Sequence, residues 1–146
     1  MFYSGNSNDL FVHVSWKTRG GEPTFTCDQI RQTAFTAIRI RTRSHLCHIL
    51  AMSGSRNQVD IVFQIPASMP VSQVARISMR ESDQAITRFR AIFRADEPQG
   101  RNFWAADFIS RSLNAAEASE AETYLRGQMA SWREVGEASC APANAG

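Results

Sequence analysis

Two polar residues two positions apart, Gln58 and Asp60, interrupt the apolar segment Asn57-Gln58-Val59-Asp60-Ile61-Val62-Phe63-Gln64-Ile65-Pro66. Val59, Ile61, Phe63 and Ile65 alternate with the period of a β-strand, and Pro66, which has no amide hydrogen, ends the ladder. The same alternation places Gln58, Asp60, Val62 and Gln64 on the opposite face. A carboxylate and an amide at that spacing can converge on a metal ion or a phosphate group. The pattern also suits a sheet face turned to water. A second pair, Tyr124 and Gln128, lies four apart in a helix-forming segment, so both share one helix face, continued by Trp132. As a bare pattern, such a pair is more often an amphipathic packing stripe than a catalytic pair.

Several elements must hold these residues in place. Leu46–Met52 is apolar enough to be the partner strand, joined to the central one through Ser53-Gly54-Ser55-Arg56, a hairpin-length run of turn formers. Leu10–Thr18 reads as a first strand, and Gly20-Gly21-Glu22-Pro23 as a loop. Thr26 or Asp28 then caps a helix with Ile30, Ala34, Ala37 and Ile38 at helical spacing. Val71–Arg90 forms a second helix, with Ser72 as its cap and Val74, Ile77, Ala85, Ile86 and Phe89 facing inward. After a loop at 95–101, Phe103–Leu113 supplies a fourth strand anchored by Trp104 and Phe108. Asn114 opens a last helix, Ala116–Glu134, whose early Glu117, Glu120 and Glu122 suit a helix N-terminus. The order β-α-β-β-α-β-α predicts an α+β fold, a ferredoxin-like split βαβ unit with an added C-terminal helix that carries Tyr124. Residues 10–134 make one domain, with a flexible lead-in over 1–9 and a disordered tail over 135–146.

The chain of 146 residues is 43% hydrophobic, enough for one core, and its formal charge of +2 does not by itself argue for nucleic acid. The charge is uneven. Fourteen basic and nine acidic residues precede Asn114, a balance of +5, while two basic and five acidic follow, a balance of −3. Arg39, Arg41 and Arg43 close the first helix, where they suit the helix dipole or a DNA-backbone patch. Cys27, Cys47 and Cys140 have no metal-ligand spacing and read as reduced thiols of a cytoplasmic protein, two of them buried. His45 and His48 lack a third ligand nearby and read as structural. No apolar run is long enough to span a membrane.

From about Leu10 to Trp132 the chain resembles the HUH-type tyrosine transposases of single-stranded DNA, the insertion-sequence-200-like and REP-associated group. His13, Trp16, Thr18 and Arg19 match that family's opening pattern. The family's strand reads Asp-His-hydrophobic-His, followed by apolar residues and Pro. It is followed by a Trp-containing strand, here Trp104–Ser112, and a Tyr-x-x-x-Gln helix, here Tyr124 to Gln128. The departure is sharp: Gln58 and Asp60 stand where the two histidines belong, and Asn57 replaces the acid before them.

The resemblance implies a dimer that binds single-stranded or hairpin DNA, with His13 and Arg19 as candidate DNA contacts; the patch reading adds Arg39, Arg41 and Arg43. It implies Tyr124 as the catalytic nucleophile that forms a phosphotyrosine link during DNA transposition. It also implies a divalent metal held by the residues at 58, 60 and 128. With Gln58, Asp60 and Gln128 that set is oxygen-only and would take Mg²⁺ or Mn²⁺, although one negative charge is thin for either ion. The expectation is therefore a transposase-family protein with impaired catalysis. The alternatives are a non-catalytic DNA-binding regulator or domesticated remnant, and a ferredoxin-like assembly protein that binds no nucleic acid.

Overall fold

The computed structural model describes residues 9–21, 28–93 and 103–134, the last four residues of the second and third segments by backbone only. The elements run β1 (Asp9–Thr18), a 3-10 turn (Arg19–Gly21), α1 (Asp28–Ser44), β2 (His48–Gly54), β3 (Gln58–Pro66), α2 (Val71–Phe93), β4 (Trp104–Leu113) and α3 (Ala115–Glu134). The strands form one antiparallel sheet in the order β2-β3-β1-β4, so β3 lies between β1 and β2, the two strands that α1 connects. That is the split βαβ arrangement expected from the sequence, with the added helix at its C-terminal end.

One face of the sheet makes the main core. Val12, Val14 and Trp16 of β1 and Val59, Ile61, Phe63 and Ile65 of β3 are buried against Ala34, Phe35 and Ile38 of α1 and Val74, Ala75 and Ile86 of α2. The alternation in β3 thus has its expected physical cause. Trp104 of β4 is fixed to this layer from both sides: it stacks edge-on with Trp16 at 5.8 Å between ring centroids, and its indole Nε1 donates to Ser82 Oγ of α2 at 2.9 Å.

Among the described residues, the other face is covered only in part. Leu125 and Ala118 of α3 pack over Ala51, Val62 and Leu113, with Phe11, Leu50 and Ala121 at the margin. An isolated solvated sheet face is therefore not what β3 presents: Val62 and Gln64 are buried, whereas Gln58 and Asp60 are half-buried. Burying Leu125 contributes on the order of 2 kcal/mol to holding α3 there.

Local chemistry explains the boundaries. Asn114 Oδ1 accepts from the Glu117 backbone N–H at 2.8 Å, and Glu117 Oε1 accepts from the Asn114 N–H at 2.9 Å, a reciprocal capping box that starts α3. Asp28 opens α1 and binds Arg31 at 2.7 Å, whereas Thr26 lies outside the described residues. Two expectations are corrected. Ser72 does not cap α2: it is already the second helical residue, and the Pro70 carbonyl takes the first turn's amides from Gln73 and Val74. Asp9 belongs to β1 rather than to a lead-in, because the buried Gln64 amide needs an acceptor and finds Asp9 Oδ2 at 2.9 Å. Residues 1–8, the loop at 95–101, Cys27, Cys140 and the tail at 135–146 lie outside the described residues. Cys47 is buried, and burial pushes its thiol pKa up to about 11.

Candidate functional site

The less covered half of the α3 face is built on three neighbouring strands. Asp60 of β3 lies opposite Ser15 of β1 on one side and opposite Ser53 of β2 on the other, so the three form a row across the sheet. His13 and Lys17 flank Ser15 on the same face of β1, and Gln58 lies opposite Lys17.

Both carboxylate oxygens of Asp60 are engaged. His13 Nε2 lies 2.9 Å from Oδ1, and Gln58 Nε2 donates to Oδ2 at 3.0 Å. The same Gln58 amide also donates to Ser15 Oγ at 3.0 Å. The His13 and Asp60 side chains are 31% and 18% exposed, so the pair is open to solvent on one side and closed by the sheet on the other.

The helix supplies the second half of the site. Ser53 Oγ donates to Gln128 Oε1 at 3.0 Å, and Gln128 Nε2 donates to the Tyr124 hydroxyl at 2.9 Å. Tyr124 and Gln128 thus share a helix face, as their spacing predicts, and Ser53 ties that face to the strand beside Asp60. Tyr124 is 65% exposed, so the stripe reading does not hold for it: its ring packs into no core. Arg126, midway between them in sequence, binds the Leu50 carbonyl at 2.9 Å and Glu122 at 3.1 Å, which fixes the helix over β2.

A divalent ion held by Gln58, Asp60 and Gln128 needs their oxygens turned to one point. Here Gln58 turns its amide nitrogen to Asp60, Asp60 is satisfied by His13 and Gln58, and the Gln128 oxygen accepts from Ser53. Among the described residues, no group of three or more His, Cys, Asp or Glu side chains is placed to hold a metal ion. One carboxylate with both oxygens occupied, beside two amides turned elsewhere, does not fit Mg²⁺ or Mn²⁺ in this geometry.

The arginines expected at DNA are divided by the fold. Arg39, Arg41 and Arg43 are exposed at the end of α1, which packs on the sheet's other face and leads into the start of β2, opposite Gln64. They are not brought to the Asp60 row, and Arg41 faces Glu81 at 3.5 Å. Arg19 follows β1 at the same end of the sheet as Lys17 and Gln58, its backbone N–H bonded to the Phe103 carbonyl. Sequence reasoning missed Ser15, Lys17 and Ser53. Strand alternation placed Ser15 and Lys17 beside His13, but the cross-strand register that puts both serines opposite Asp60 has no local signal.

The family profile described as "Transposase IS200 like" matches residues 6–128. A crystal structure of a candidate transposase from Deinococcus radiodurans R1 superposes with a TM-score of 0.64 at 12% identity, covering 88% of this chain and 97% of that one. A REP-associated tyrosine transposase bound to a REP hairpin superposes with a TM-score of 0.58 at 13% identity, covering 86% and 69%. No curated protein matches the chain. At these identities the two structures speak for the fold, and the profile speaks for the family.

Proposed function

The chain belongs to the IS200-like transposase family, and from that premise we propose that it binds single-stranded or hairpin DNA over the less covered half of the α3 face, with strand cleavage by Tyr124 impaired. The observation that carries this reading is Asp60, bound by His13 and Gln58 on the strand where the resembled group carries its metal-binding histidines. A phenol with a pKa of about 10 is a poor nucleophile at neutral pH. Its attack on phosphorus needs a group that stabilises charge on the phosphoryl and leaving oxygens. Asp60, with both oxygens held by His13 and Gln58, supplies no such stabilisation. The relative bound to a REP hairpin supports a DNA partner.

The accessible Tyr124 hydroxyl, held by Gln128, favours a second reading in which slow cleavage persists. One assay separates the two. Protein is incubated with labelled single-stranded DNA from the ends of its own locus, with Mn²⁺ or Mg²⁺, beside Tyr124→Phe and the double variant Gln58→His with Asp60→His. Impaired cleavage predicts DNA binding without a covalent band in the wild type, and a metal-dependent band in the double variant. An efficient band that requires Tyr124 in the wild type overturns impairment.

A homodimer is the partner state that β4 supports. Among the described residues it is an edge strand, paired by β1 alone, and Ile109 at its middle is 71% exposed. Antiparallel pairing with a second β4 centred on Ile109 sets Asp107 opposite Arg111 twice, by the two-fold symmetry.

A further inference from the structure

We propose that the Gln58–Asp60–His13 network makes this face a metal-independent phosphate seat, in which the Ser15 hydroxyl and the Lys17 ammonium receive a backbone phosphate of single-stranded DNA. The inference rests on the DNA-binding reading above and adds the residues and the charge balance of the contact.

Ser15 is the centre of the geometry. Its oxygen accepts from Gln58 Nε2 at 3.0 Å, which occupies one lone pair and leaves the hydroxyl hydrogen to donate; among the described residues it has no acceptor. Lys17 lies two residues further along the same face of β1, exposed and opposite Gln58. Two residues along a strand span about 7 Å, a distance that a lysine's four-carbon stem bridges readily. Both groups donate hydrogen bonds, the chemistry a phosphate oxygen requires.

Asp60 would ordinarily repel a phosphate from this place. Its two oxygens are instead covered by donors from His13 and Gln58. His13 and Gln58 are therefore positioning residues: they hold the carboxylate, and Gln58 also orients the Ser15 hydroxyl. Of the other acids, Glu117 lies 3.9 Å from Arg111, and Asp107 falls in the β4 stretch between the Thr18–Trp104 and Trp16–Phe108 pairs, where the register with β1 shifts. Arg39, Arg41 and Arg43 belong to the helix layer behind the sheet and take no part in the seat.

The test is fluorescence anisotropy with a labelled twenty-nucleotide oligo-dT and with a hairpin from the protein's own locus, in low salt with EDTA. Wild-type binding in EDTA is expected, unchanged by added Mg²⁺ or Mn²⁺. Lys17→Ala should weaken it about five- to tenfold and lower the magnitude of the salt slope by about 0.7, one phosphate's worth for a single strand. Ser15→Ala should weaken it about threefold with the slope retained, while Arg88→Ala on α2 serves as the charge-matched control. Calorimetry with Mn²⁺ alone should show no binding to the wild type. Binding that requires a divalent ion, Mn²⁺ uptake abolished by Asp60→Asn, or equal affinity of Lys17→Ala and wild type overturns the seat and leaves the DNA reading standing. No binding of either probe by the wild type overturns both.

Discussion

His13 on β1 and Asp60 on β3, 47 residues apart in sequence, meet at 2.9 Å in the half of the sheet that α3 covers less. The contact ties the two central strands together on the side opposite the main core. Asp60→Ala removes the acceptor of both His13 and Gln58. With the side chains 31% and 18% exposed, water replaces part of what is lost, so the expected cost is about 1 kcal/mol rather than the several of a fully buried pair. Asp60→Asn keeps a shape-matched acceptor and should lose less. Urea midpoints at unchanged m-value check both.

The capping box at the start of α3 predicts a local effect with a defined reach. Asn114→Ala removes the acceptor of the Glu117 N–H, at an expected cost of about 1 kcal/mol. The first turn frays first. Tyr124 and Gln128 lie more than one turn further on, beside Leu125, which is buried against the sheet. Hydrogen exchange should therefore quicken at residues 115–119 with little change at 124–128.

Much of this architecture was legible because it depends on local pattern. The alternation of Val59, Ile61, Phe63 and Ile65 marked a strand, and Asn114 with Glu117 marked a helix start. Ser82 was not legible, because a serine within an amphipathic helix reads as solvent-facing. It faces inward only because its hydroxyl bonds the Ser78 carbonyl four residues back at 2.6 Å, which makes it acceptable in the core. The row Ser15–Asp60–Ser53 was hidden for another reason: it is fixed by register between strands brought together by the fold. Tyr124 and Gln128 were found from their spacing, yet the Ser53 contact that anchors them to the sheet required the packing of α3 on β2.

Ser82 also accepts from the Trp104 indole, and this predicts a larger loss than its size suggests. Ser82→Ala removes the acceptor that the buried Trp104 indole N–H uses, at an expected cost of about 1–3 kcal/mol. Ser78→Ala removes a back-bond to the Val74 carbonyl and leaves the helix ladder intact, so it should cost much less. Comparing the two by thermal melting, with tryptophan emission as a reporter of the Trp104 environment, separates the indole's share.

Burial holds the Cys47 thiol in its neutral form, with a pKa of about 11 in place of 9.0. The folded state keeps that proton where the unfolded chain releases it. The resulting stability is fully present below about pH 9 and is lost as pH rises toward 11. At pH 8 the thiolate fraction falls about a hundredfold, so alkylation of the folded Cys27→Ser, Cys140→Ser variant should be slow and should accelerate with denaturant. Rapid labelling under native conditions would contradict the burial.

Self-pairing of β4 makes a prediction in which two substitutions, each disruptive, cancel. With Ile109 on the two-fold axis, each Asp107 lies opposite the Arg111 of the second copy. Asp107→Arg sets two like charges opposite one another at each of the two positions, and Arg111→Asp does the same with the opposite sign. Like charges directly opposite destabilise a strand pair, while opposite charges stabilise it by about 0.2–1 kcal/mol each. Each single variant should therefore sediment as a monomer at concentrations where the wild type is a dimer, and the double variant, which restores the opposition with its sense reversed, should regain the dimer. Both residues are exposed; Arg111→Asp also removes the 3.9 Å contact with Glu117, so a thermal melt accompanies each variant. A double variant as monomeric as the singles would mean that β4 does not pair in this register. A wild type monomeric at every concentration would mean that this edge is not a self-association surface.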